Sequence, residues 1–125
     1  MLPTFSLNEK TAIYKVAKMM AEIDGVVLHE EIKSIEDAMA NLNVARDEYD
    51  KLKIEGEKTE CIDALVIIYK MSKDKKKYLS AFLGYIISVD DDINDAELAL
   101  WSFIIKVCTL PKMNIRQAVD IYRRF

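Results

Sequence analysis

Asp24 stands seven residues before Glu31, and Asp90 stands seven residues before Glu97, so the two Asp–Glu pairs are offset by 66 positions. Carboxylate oxygens suit hard cations such as Ca²⁺, Mg²⁺ or Mn²⁺, and two such half-sites brought together would offer Asp24, Glu31, Asp90 and Glu97 to one ion. Asp92 adds a fifth oxygen donor to the second turn. Without a cation, each carboxylate pair at contact distance repels by about 4 kcal/mol at intermediate dielectric, so a converged cluster requires a positive charge or a proton.

The same residues also serve a local need. Asp24-Gly25 is a turn sequence, and a Glu at the third helical position satisfies an orphan N–H and complements the helix dipole. In the second turn Asp91 stands where Gly25 stands in the first, and Asp tolerates the left-handed backbone that such a position uses. Capping accounts for the two Glu residues; it accounts less well for an Asp recurring in the same register. An EF-hand does not fit: Asp90, Asp92 and Asn94 occupy its first, third and fifth positions, but Asp95 replaces the required Gly and Trp101 the final bidentate Glu.

The elements that carry these turns are helical. Ser6 with Glu9 predicts a capping box and a helix from Leu7, with Ile13, Val16, Ala17, Met20 and Ile23 on one face and Asp24-Gly25 ending it. A second helix is expected over His29 to Asn41, and a shorter third capped by Asn43 and ended by Gly56. Glu57 to Met71 reads as a fourth helix, apolar on most sides and so placed in the middle of the bundle. Ser72 caps a fifth, Asn94 with Glu97 forms a box opening a sixth, Thr109-Leu110-Pro111 stops it, and Asn114 caps a seventh. The register of the repeat extends beyond the turns, since Ile13 matches Leu79, Val16 matches Phe82, Ile35 matches Trp101 and Leu42 matches Cys108. The expectation is an all-α, single-domain bundle of about seven helices over residues 1–125, with two pseudo-repeated helix-turn-helix halves.

An Asp-Gly or Asp-Asp turn, a branched apolar residue (Val27, Ile93) and a Glu seven after the Asp, repeated in an all-helical chain, resembles the TerB family of tellurite-resistance proteins. The N-terminal region of DjlA-type co-chaperones is similar. The resemblance runs from Leu7 to Tyr122 and implies a seven-helix bundle with related halves, and an acidic surface suited to a divalent cation at Asp24, Glu31, Asp90 and Glu97. The halves are not equivalent, because Asp91 replaces Gly25 and Ser88 replaces Glu22.

Composition bounds the rest. The 125 residues, 51% hydrophobic and 31% charged with a net charge of −3, describe an ordinary globular domain. No dominant basic face speaks for nucleic acid, and the longest apolar run, Ala64 to Tyr69, is too short to cross a bilayer. The N-terminal residues lack a signal-peptide pattern, so the expected location is cytoplasmic. Cys61 and Cys108 lie on apolar stripes and read as core residues rather than a disulfide. His29 reads as an exposed helix-start residue, the Lys70 to Lys77 cluster as a solvated connection, and Tyr69, Tyr78, Tyr85 and Trp101 as core. With no nucleophile, phosphate-loop or dinucleotide motif, an enzyme is not expected. The sequence therefore points to a TerB-like domain with a cation-binding acidic surface in a stress-response or metal-related setting; the other reading is an adaptor whose acidic face meets a basic protein partner without metal.

Overall fold

The computed structural model describes residues 2–90 and 93–125, and within them the chain forms seven α-helices and no strand. They are α1 (Leu7–Glu22), α2 (His29–Asn41), α3 (Arg46–Lys58), α4 (Cys61–Tyr69), α5 (Lys73–Ser88), α6 (Asp95–Cys108) and α7 (Ile115–Arg123). Asp91 and Asp92, expected as the left-handed turn residue and a fifth oxygen donor, lie outside the described residues.

Side chains set most of the helix starts. Ser6 Oγ accepts the Glu9 N–H at 3.2 Å while the Glu9 carboxylate accepts the Ser6 N–H at 2.8 Å, which closes the expected box. Ser72 and Asn114 cap α5 and α7 through the N–H groups of Lys75 and Gln117. Asn43 does not cap α3. It adopts a left-handed φ of 64°, with its N–H on the Ala40 carbonyl and the Val44 N–H on the Met39 carbonyl, and so closes α2 in a Schellman motif. Thr109, at φ 55°, closes α6 in the same way, with the Leu110 N–H on the Ile105 carbonyl. Asn43 and Thr109 are again 66 residues apart, so the repeat runs through both ends of the second helix in each half.

Helices α1 and α5 form the centre. Ile13, Val16, Ala17 and Met20 on the first, and Leu79, Phe82, Leu83 and Ile86 on the second, are fully buried. Each large apolar side chain removed from water in this way contributes about 1.5–3 kcal/mol. All four matched pairs, Ile13/Leu79, Val16/Phe82, Ile35/Trp101 and Leu42/Cys108, lie in this one core. Glu9 and Lys75, themselves offset by 66, are ion-paired at 2.9 Å and tie the start of α1 to the start of α5.

Several expectations fail for identifiable reasons. Gly56 does not end α3; it sits inside the helix, where an added Cβ would lie 2.7 Å from the Tyr14 ring, so it serves close packing on α1. The fourth helix is shorter than Glu57 to Met71, because α3 continues to Lys58 and α4 begins only at Cys61. Nor is α4 central: it packs on α1 and α6 through Ala64, Leu65 and Ile68 and leaves Ile62, Val66 and Tyr69 exposed. Tyr69 is therefore not a core residue, whereas Tyr78 and Trp101 are. The lysine cluster is only partly solvated, since Lys75 holds Glu9, and Lys76 donates to Thr109 Oγ1 while lying over the Tyr69 ring. Both cysteines are free; Cys108 is buried and Cys61 only partly so.

Candidate metal centre

Each half presents its carboxylates through a turn between two helices. After α1, Gly25 takes φ 82°, a backbone that favours glycine, and its N–H returns to the Glu22 carbonyl at 2.9 Å. The turn is fixed further by Asp24 Oδ1, which accepts the Val26 N–H at 3.0 Å. This leaves Asp24 Oδ2 free to face the other half, where it accepts from the Asn94 side-chain amide at 2.7 Å. In the second half Asp90 follows α5 in the equivalent position and is half-buried.

One carboxylate oxygen from each of Asp24, Asp90 and Glu97 comes within 4.8 Å of the others. Three of the four expected residues therefore converge as a trio. Glu31 stands outside the trio and next to Glu97. Its carboxyl group is hydrogen-bonded to that of Glu97, and its Oε1 accepts the Leu28 N–H at 3.0 Å, as a capping Glu does. Glu31 and Glu97 are equivalent residues in contact with each other, as are Glu9 and Lys75, so both contacts join matching positions of the repeat.

Glu31 and Glu97 are each 1% exposed, and these two buried acids carry the electrostatics of the site. Glu97 Oε1 accepts from Asn94, but Glu97 Oε2 is enclosed and meets no amide or hydroxyl donor among the described residues. A proton held between the two Glu residues would satisfy it, as would a buried water or a cation. Burial, reinforced by the charge and hydrogen bond of Glu31 and by Asp24 and Asp90, pushes the Glu97 carboxyl up to about 8. Burial also raises Glu31, against the pull of the Leu28 N–H. At neutral pH the pair therefore retains a proton that ordinary carboxylates would have lost.

Asn94 has a larger role than its sequence position suggests. Its Oδ1 accepts the Glu97 N–H at 2.8 Å, as an N-cap should, but no Glu97 side-chain bond returns to the Asn94 backbone. The Asn94 amide instead donates to both Asp24 and Glu97, joining the two turns. The only sequence signal for this was an N-cap residue whose side chain carries a donor as well as an acceptor. His29 is exposed at the start of α2, as expected. The non-equivalence at Glu22 and Ser88 is also visible: Glu22 pairs with Lys18 at 4.0 Å, while Ser88 turns its hydroxyl onto the Tyr85 carbonyl at 2.6 Å.

Among solved structures, the chain is similar to the protein of unknown function PG1108 from Porphyromonas gingivalis W83, with 35% sequence identity and a TM-score of 0.86. The alignment covers 99% of this chain and 100% of that one. The chain belongs to the same family as that protein. Similarity at this level over nearly the whole of both chains shows one shared fold. No family model and no curated protein matches the sequence.

Proposed function

We propose that the chain is a TerB-like helical domain that binds a divalent cation between its two acidic turns, in a stress-response or metal-related setting. The observation that carries this reading is the convergence of one carboxylate oxygen each from Asp24, Asp90 and the buried Glu97 within 4.8 Å of one another. Exposed acidic groups cluster on many surfaces without a ligand; here one of the three is buried, so its charge must be met by a proton or by a cation. Two oxygens on one Ca²⁺, each at about 2.3–2.6 Å, lie at most about 5 Å apart, whereas about 2.1 Å bonds to Mg²⁺ require a separation near 4 Å or less. A separation of up to 4.8 Å therefore suits the larger Ca²⁺ better than Mg²⁺ or Mn²⁺, which require the trio to close further. Asp24, Asp90 and Glu97 supply direct ligands, Asn94 and Glu31 orient them, and water completes the shell on the exposed Asp24 side.

Calorimetric titration of chelator-treated protein with Ca²⁺, Mn²⁺ and Mg²⁺ tests this reading against the Asp24→Asn plus Asp90→Asn variant. The expected result is saturable heat with Ca²⁺ for the wild type and at least about a hundredfold loss of affinity in the variant. Absence of heat at millimolar cation would remove the cation reading. What would then remain is an adaptor with an acidic face, whose buried Glu pair is satisfied by its proton alone.

A further inference from the structure

The outer side of the α4/α6 pair carries the largest exposed apolar residues that the core does not use. On α4, Ile62, Val66 and Tyr69 share one flank at helical spacing, and Ile62 and Tyr69 are 64% and 53% exposed. On α6, Phe103 and Val107 share a flank, and Phe103 is 53% exposed. The two flanks adjoin. Cys108 Sγ meets the Leu65 carbonyl at 3.4 Å, which sets the middle of α4 against the end of α6. Lys76 then touches both the Tyr69 ring and Thr109, tying the C-terminal ends of the same two helices together. The opposite flank of α6, with Leu98, Trp101, Ser102 and Ile105, lines the cavity towards Met113 and Gln117, which leaves Phe103 and Val107 on the flank turned away from α7. Beyond its first turn α6 carries a single charge, Lys106. A contiguous apolar face of this kind on a small domain marks an interaction surface.

The charges around the face identify its occupant. Glu60 and Asp63 lie at the N-terminal end of α4 and Lys70 at its C-terminal end; all three are exposed, and none is ion-paired among the described residues. Asp63 and Lys70 are separated by seven residues, about 10 Å along the helix, with Val66 midway. A face that is apolar in the middle and oppositely charged at its ends is complementary to itself when turned by a half rotation. We propose that this face binds a second copy of the chain, with the two α4 helices antiparallel across a twofold axis near Val66, and Asp63 of each copy meeting Lys70 of the other. The contact is isologous, as a closed dimer requires.

Sedimentation equilibrium of the full chain from micromolar to near-millimolar concentration tests the proposal. The expected outcome is a reversible dimer that Val66→Glu and Phe103→Glu each convert to monomer, with helical content and melting temperature of the monomer preserved. Asp63→Lys and Lys70→Glu should each weaken the dimer at least about tenfold, about 1.4 kcal/mol, and the double exchange should restore it. Three results would overturn the proposal: a monomer throughout the range, a dimer that survives both Glu substitutions, or a charge exchange with no rescue.

Discussion

The two acidic turns have the same spacing and different wiring, and the difference comes from one residue. In the first turn the N-cap position is Leu28, whose side chain offers no acceptor, so Glu31 turns back to the Leu28 N–H. In the second turn the same position is Asn94, which takes over capping with its own carbonyl oxygen and directs its amide to Asp24 and Glu97. Glu97 is thereby released from capping, and its second oxygen is buried with no amide or hydroxyl donor among the described residues. A shared spacing fixes where the carboxylates lie. The capping residue decides which Glu turns back onto its own helix start and which turns to the other half.

The halves also differ in how their central helices approach their neighbours, and here the largest effect is expected. In the second half Gly84 lets α5 close on α7 and α6: an added Cβ would press on the Ala118 Cβ and lie 2.8 Å from the Trp101 ring. The equivalent residue in α1 is Lys18, half-exposed and 3.7 Å from Glu57, and the close approach in that half is supplied by Gly56 instead. Gly84→Ala should therefore cost about 3 kcal/mol and lower the melting temperature by about 10 °C, because neither a short Ala nor a buried Trp can yield. Lys18→Ala, at the matched position, should change stability by no more than about 1 kcal/mol. Equal effects in a pair of thermal melts would show that the halves pack alike.

The shared proton gives the next test. A folded carboxyl held near 8 against an ordinary value of 4.5 makes the folded state bind a proton more tightly than the unfolded one. Its stabilisation is complete below 4.5 and is lost as pH rises through 8. In chelator, the melting temperature of the wild type should fall by several degrees between pH 5 and pH 9. Glu9, whose carboxyl is lowered by the Ser6 N–H and Lys75 although burial opposes it, acts only below this window. Glu97→Gln replaces the shared proton with an amide hydrogen, so the variant should show a flatter profile and exceed the wild type at pH 9. A wild-type profile that rises over this range would show that the pair holds no extra proton.

Much of the architecture was legible in the sequence. Helix periodicity, Ser6 with Glu9, Ser72 and Asn114 located five of the seven helices closely, because local capping chemistry and core packing agree there. Gly56 and Asn43 misled because each has two common uses, and only tertiary contacts choose between them: Gly56 packs on Tyr14 rather than ending a helix, and Asn43 ends α2 rather than starting α3. The apolar run Ala64 to Tyr69 suggested a central helix because hydrophobicity alone cannot distinguish residues facing the core from those left on the surface, as Val66 and Tyr69 are. At the site, the register of Asp24, Asp90 and Glu97 was legible. The bridging role of Asn94 and the burial of the Glu pair were not, since both depend on the two turns meeting across 66 residues of chain.

Exchanging the capping residues tests the comparison itself. Asn94→Leu gives the second turn the cap residue of the first. The N-cap bond to the Glu97 N–H is lost, at about 1 kcal/mol or about 4 °C in melting temperature. Asp24 Oδ2 and Glu97 Oε1 lose their common donor at the same time, so cation affinity should fall about tenfold although no direct ligand has been removed. Glu97 should then turn to the residue 94 N–H as Glu31 turns to that of Leu28, a change readable from the amide chemical shift of that residue. If affinity falls while the melting temperature stays fixed, Asn94 orients the carboxylates without capping. If the melting temperature falls alone, it caps without orienting, and the asymmetry of the two turns has another origin.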